Sequence, residues 1–227
     1  MNQIIKNITL GVLIFFCISF LGCGDKDKQN NEETYILKSQ DIIITPSQFT
    51  EELELKKASY SYNIKDNPSE YNDIVIKVVQ DLSEEIVLLH IAREKGIFIS
   101  DKGFKKAEKE FLKDYPDDTF ENMLLKNAIE YSFWKKRFIK RLIIDQLIQQ
   151  ELREKIVIKT EDVVKFYDEY KQQKKQTLSE NELIAQLREQ KTEEKYYKWI
   201  EKATAQYPVD LNKEELKHFL IGLDKTE

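Results

Sequence analysis

The chain has 227 residues, with 36 lysines and arginines against 41 aspartates and glutamates, for a net charge of -5. A mildly acidic chain with no basic stripe and no zinc-finger spacing is a poor partner for nucleic acid. Its six glycines and two cysteines exclude a glycine-rich nucleotide loop, a turn-rich β fold and a cysteine-rich zinc or disulfide framework.

The N-terminus reads as an export signal. Lys6 and the free amine precede the apolar run Ile8 to Leu21, which is shorter than the ~20 residues of a membrane span and suits a signal peptide. The run ends in Phe20-Leu21-Gly22-Cys23. This resembles the lipobox of bacterial lipoproteins, with Phe20 where leucine is usual. The resemblance implies cleavage after residue 22 and diacylglycerol on Cys23. Cys17 would be removed with the signal, leaving Cys23 as the single cysteine of the mature chain. Gly24 to Glu33 holds no apolar residue and cannot offset its own ordering entropy. Residues 1–22 are thus expected to be a lipoprotein signal peptide, 23–34 the lipidated cysteine and a disordered tether, and 35–227 the folded domain.

The first folded elements are expected to be a β-hairpin, with strands Tyr35 to Leu37 and Ile42 to Ile44 around Lys38-Ser39-Gln40-Asp41. Thr45-Pro46-Ser47-Gln48 reads as a capping box with proline at the first helical position, and Phe49 and Leu53 start that helix's buried stripe. A long helix follows from about Ser69 to Lys95, with Ile74, Val78, Leu82, Ile86 and Leu89 at helical spacing, ending at Gly96. Ser100 or Asp101 caps a helix carrying Phe104, Ala107 and Phe111. Asp118-Thr119-Phe120-Glu121 opens another, with Phe120 and Leu124 on one face. A fifth is expected from about Glu130 to Lys155, striped by Trp134, Phe138, Leu142 and Leu147. Thr160 is expected to cap a sixth.

Lys171 to Leu178 is an almost wholly polar seam. Beyond it Ser179-Glu180-Asn181-Glu182 is a second capping box, followed by Leu183, Leu187, Tyr197 and Ile200 as the buried face. Arg188 to Lys195 lacks an apolar face, which predicts a break near Thr192 or a solvent bridge. The helix 179–207 is expected to pack back on residues 35–170. Pro208 to Leu211 is expected to add an edge strand, and Lys213 to Leu223 a last short helix.

Chemistry-bearing motifs are scarce. His90 and His218 have no partner at metal-ligand spacing and read as structural or solvent-facing. No GxxxxGK or GxSxG motif occurs, so no nucleotide, cofactor or metal is expected. The apolar and aromatic residues Phe120, Met123, Leu124, Tyr131 and Trp134 are the candidate ligand-contacting group, although core burial is the commoner role of such residues.

The order of elements carries a resemblance. A hairpin and capped helix lead into "DLSEEIVLLHIAREKGIFISD", then "FENMLLKNAIEYSFWKKRFIKRLIIDQLIQ", then "IVIKTEDVVKFYDEY". Together they resemble the N-terminal chaperone domain of SurA-like foldases. Ala128 stands where that family usually has glycine, at a break between helices. In SurA-like and PrsA-like proteins a parvulin prolyl-isomerase domain commonly follows the third section; here the polar seam stands instead, far short of the ~50 residues a domain needs. The resemblance implies a mainly α fold with a small N-terminal β-hairpin. It also implies a non-enzymatic, ATP-independent chaperone whose clients are unfolded exported or outer-membrane proteins. Gly24 after Cys23 implies sorting to the periplasmic face of the outer membrane, or, in a Gram-positive cell, the outer leaflet of the cell membrane. The competing expectations are an assembly lipoprotein with one fixed partner and, with less support, a prolyl isomerase.

Overall fold

The computed structural model describes residues 34–173 and 179–222. It consists of β1 (Leu37–Ser39), β2 (Ile42–Ile44), α1 (Pro46–Lys57), α2 (Pro68–Glu94), α3 (Asp101–Phe111), α4 (Thr119–Lys126), α5 (Tyr131–Glu151), α6 (Thr160–Gln173), α7 (Glu180–Gln206), β3 (Asp210–Leu211) and α8 (Lys213–Lys217). Cys23, with the expected signal and all of the expected tether but Thr34, lies outside the described residues. The fold is mainly helical with one small antiparallel sheet, as the pattern predicts.

α2 is the spine because it is apolar on more than one face. Its first half (Ile74, Val75, Val78, Leu82) packs with Phe49 and Leu53 of α1, with the sheet, and with Leu216 of α8. Its second half (Val87, Leu88, Ile91) packs with Leu147 of α5 and with Ala203 and Tyr207 at the end of α7. Proline at the first turn and Asn67 at the cap start the helix. A Schellman motif ends it: Gly96 at φ +66 donates its N–H to the Arg93 carbonyl, and the Ile97 N–H bonds the Ala92 carbonyl.

The first strand sits two residues later than expected. Gln40 adopts φ +52 and closes a two-residue turn with Asp41, so Leu37 faces Ile44 and Ser39 faces Ile42. The third strand occupies the other edge of β1, pairing Leu37 with Leu211, in the order β2-β1-β3. The expected cap of α1 is present: Thr45 Oγ1 accepts the Gln48 N–H (3.3 Å) and Gln48 Oε1 accepts that of Thr45 (3.0 Å).

Among the helices, three boundaries and one interior depart from expectation. α5 stops at Glu151, because Leu152 leaves helical geometry at φ -122 with its side chain buried, and a 3₁₀ turn follows. Thr160 is the first residue of α6 rather than its cap; Lys159 precedes it, its N–H held by the Asp162 carboxylate (3.0 Å). α8 ends at Lys217, and its tail is pinned to α2 by Asn72, whose amide exchanges two hydrogen bonds with the Ile221 backbone (2.9 and 3.0 Å).

The fourth departure is α7, which runs unbroken through Thr192. Thr192 is only 4 % exposed and its hydroxyl donates to the Arg188 carbonyl (2.8 Å). The Arg188 guanidinium in turn donates to the carbonyls of Arg153 and Ile156 (3.2 Å each). The Arg188–Thr192 face of α7 thus packs on the turn after α5 by satisfying its backbone acceptors, while Glu189, Gln190 and residues 193–195 stay exposed. The register of the buried face shifts as well. Tyr197 is 65 % exposed, whereas Tyr196 packs on the second core with Trp199 and Ile200 and donates to Glu84 (2.5 Å).

Candidate functional site

α3, α4 and the start of α5 are held together by rings. Trp134 packs against Phe120 (4.8 Å between centroids), Phe138 (5.0 Å), Phe111 (5.5 Å) and Tyr131 (5.6 Å). Phe104 meets Phe138 edge-on at 6.3 Å. Large rings let helices touch without close backbone approach, which leaves room between the elements.

The link between α4 and α5 shapes that room. Asn127, Ala128 and Ile129 close α4 with a second Schellman motif: the Ala128 N–H bonds the Leu125 carbonyl and the Ile129 N–H bonds the Leu124 carbonyl. Ala128, at φ +51, holds the left-handed position that Gly96 holds at the end of α2. Two cavities flank this link and share Ala128, Ile129 and Glu130 as a common wall. One, of about 750 Å³, opens toward α1 and the loop after it, with Leu55, Tyr60, Tyr62, Ile64 and Phe133 in its lining. The other, of about 810 Å³, opens toward α3, with Leu112, Phe120, Leu124, Leu125 and Tyr131. Both fall within the volume range of ligand pockets.

The five candidate residues divide. Phe120, Leu124 and Tyr131 line the second cavity. Phe120 and Leu124 are buried, so they form its floor, while Tyr131 is 46 % exposed at its mouth. Met123 and Trp134 line neither cavity. Trp134 stands behind in the ring cluster, and the Met123 carbonyl accepts the Asn127 side chain (2.8 Å). The residues that present apolar surface to solvent are others: Leu125, 78 % exposed, and Tyr62, fully exposed. Their signals are faint. Leu124-Leu125 is a doublet in which only one leucine can face the core of an eight-residue helix. Tyr60-Ser61-Tyr62 places two rings in a stretch with no helical stripe.

Charge around the cavities is one-sided. Glu51, Glu54, Glu108, Glu121 and Glu130 line them, against Lys57 alone among lysines and arginines. Lys57 is engaged with Glu54 (2.7 Å). Glu108 accepts the Tyr131 hydroxyl, and that bond, with burial, pushes the phenol up to about 12. The bond braces the start of α5 against α3. Farther along α5, Arg137 pairs with Glu52 of α1, its pKa lowered by burial, and Lys140 pairs with Glu85 of α2 (2.6 Å).

The histidines stand apart from the cavities. His90 is buried, its Nε2 3.1 Å from the Ser39 carbonyl and its ring stacked on Tyr207 at 5.4 Å. His218 follows α8 at the surface. Among the described residues no cluster of three metal-ligating side chains occurs, and no helix is long and apolar enough to cross a membrane. No family model matches the chain, and no similar sequence is found among curated proteins.

Proposed function

We propose that this chain is a lipid-anchored, ATP-independent chaperone of the cell envelope that holds unfolded exported proteins, outer-membrane proteins among them, without catalysing a reaction. The observation that carries this reading is the pair of open, largely apolar cavities on either side of the Ala128–Glu130 link, with Leu125, Tyr62 and Tyr131 exposed at their edges. Such surface on a folded domain marks a place where another apolar chain docks. The SurA-like order of elements supports the same reading. An extended client segment seated there has its apolar side chains covered and its edges kept from pairing with other chains. Anchoring through Cys23 keeps the holder within a tether's length of the membrane.

The test is aggregation of a chemically unfolded outer-membrane protein, together with a photo-crosslinking amino acid placed at Leu125, at Tyr62 or at Tyr197, which is exposed outside the cavities. The reading requires suppression of light scattering at near-stoichiometric protein and client crosslinks from Leu125 and Tyr62 but not from Tyr197. Crosslinks distributed equally over all three positions would remove the cavities from the account. A single cellular protein crosslinked in place of unfolded clients would favour the fixed-partner alternative.

A further inference from the structure

The carboxylate rim says what kind of segment the groove takes. Resting on the chaperone reading, we propose that these cavities select client segments in which apolar residues are interspersed with lysine or arginine. Lys57 is occupied by Glu54 and Glu108 by Tyr131, which leaves Glu51, Glu121 and Glu130. All three are exposed, and none is paired with a lysine or arginine among the described residues; the Glu130 carboxylate accepts the Ser132 hydroxyl (3.2 Å). They come from three different elements. Glu51 on α1 borders the first cavity, Glu121 on α4 borders the second, and Glu130 before α5 stands on the wall common to both. A segment that occupies both cavities therefore meets one rim carboxylate in each and a third on the wall they share.

Apolar side chains of such a segment cover the floor, excluding water, and attraction between the rim carboxylates and ammonium or guanidinium groups strengthens as local polarity falls. The same rim repels acidic segments, so charge sets specificity where the apolar floor sets affinity. It also acts against a second copy as occupant, since the chain itself carries a net charge of -5.

The experiment measures binding of three fluorescent peptides to the full chain in nanodiscs of zwitterionic lipid, with protein-free nanodiscs as baseline. The peptides share their apolar residues and differ in the spacer: lysine, glutamine or glutamate. The lysine peptide is expected to bind roughly tenfold tighter than the glutamine peptide, the sum of several partly exposed pairs, and the glutamate peptide least. The gap is expected to close toward 1 M salt, where the screening length falls to ~3 Å. In the triple variant Glu51→Gln, Glu121→Gln, Glu130→Gln the lysine-to-glutamine ratio is expected to approach one, with an unchanged melting curve because the three side chains are exposed. If that variant fails to fold, the salt series on the natural chain decides the matter. Equal binding of all three peptides at low salt overturns charge selection and leaves the chaperone reading standing. Binding of none overturns both. A concentration-dependent dimer that the peptides fail to enter puts a second copy in the groove and overturns the proposal.

Discussion

Ala128 and Gly96 occupy the same place in two helix ends, one residue past the cap in a Schellman motif, at φ +51 and +66. An alanine there pays the steric cost of the left-handed region, roughly 1–2 kcal/mol, partly offset by glycine's greater freedom in the unfolded chain. Ala128→Gly is therefore expected to stabilise the fold by about 0.5–1 kcal/mol. Gly96→Ala is expected to destabilise it by a similar amount, through backbone strain alone, since a Cβ at Gly96 meets no atom within 4 Å. Chemical denaturation of both variants checks this. Destabilisation by Ala128→Gly would mean that residue 128 is not left-handed, and the wall between the cavities would have to be redrawn. At the other end of the chain, Cys23→Ser is expected to abolish incorporation of a fatty-acid probe and to leave the precursor uncleaved. Undiminished labelling of that variant would refute the lipid anchor.

At the scale of elements, legibility follows the range of the interactions that build each one. The Thr45–Gln48 and Ser179–Glu182 boxes span three residues, so the sequence shows both partners side by side. The third strand is legible as the stretch Pro208 to Leu211, of which Asp210–Leu211 pairs with β1. The unbroken middle of α7 is not, because its docking depends on Arg188 reaching carbonyls of Arg153 and Ile156, more than thirty positions away. Without those acceptors, Thr192 looks like a breaker. The cavities were half legible. Phe120 and Leu124 carry the i, i+4 pattern of a helix face and Tyr131 stands three before Trp134 on the next helix, whereas Leu125 and Tyr62 matter because nothing covers them, and periodicity does not report that.

The end of α7 carries a titratable lock. Tyr207 is buried beside α2 and α5, its hydroxyl oxygen accepts the Gln206 side-chain amide (3.0 Å), and the neighbouring Glu94 carboxylate of α2, together with burial, pushes the phenol from 10.0 up to about 12. A phenol is neutral when protonated, and its folded-state pKa lies above the unfolded one. The folded state therefore holds the proton more tightly, and this contribution is whole below pH 10 and drains away as pH rises through about 12. Tyr207→Phe is expected to cost roughly 1–2 kcal/mol at neutral pH through the lost hydrogen bond. The gap between variant and natural protein is then expected to narrow as melting is followed from pH 9 to 12. A gap that stays constant across that range would show that Glu94 and burial do not govern the phenol.

For the whole molecule, the polar seam separates two stretches whose side chains meet in the same two cores. Truncation after Lys174 deletes α7, β3 and α8, and with them Leu183, Leu187, Ala203, Tyr207 and Leu216, all buried. Leu147 and Ile91 lose their neighbours in the second core, Leu37 loses Leu211 across the sheet, and Asn72 loses the Ile221 backbone. Each large apolar side chain accounts for roughly 1.5–3 kcal/mol. Several such losses match the roughly 5–15 kcal/mol that holds an ordinary domain together. A flexible Gly/Ser insert after Lys174 removes none of these contacts, and each doubling of loop length costs only ~0.6 kcal/mol. The truncated protein is expected to aggregate or to melt without cooperativity, while the insert variant melts within a few degrees of the natural chain. Calorimetry separates the outcomes: a stable 34–174 fragment with a cooperative transition would make the C-terminal stretch a separate appendage. It would also leave the second core without the half that Ala203 and Tyr207 supply.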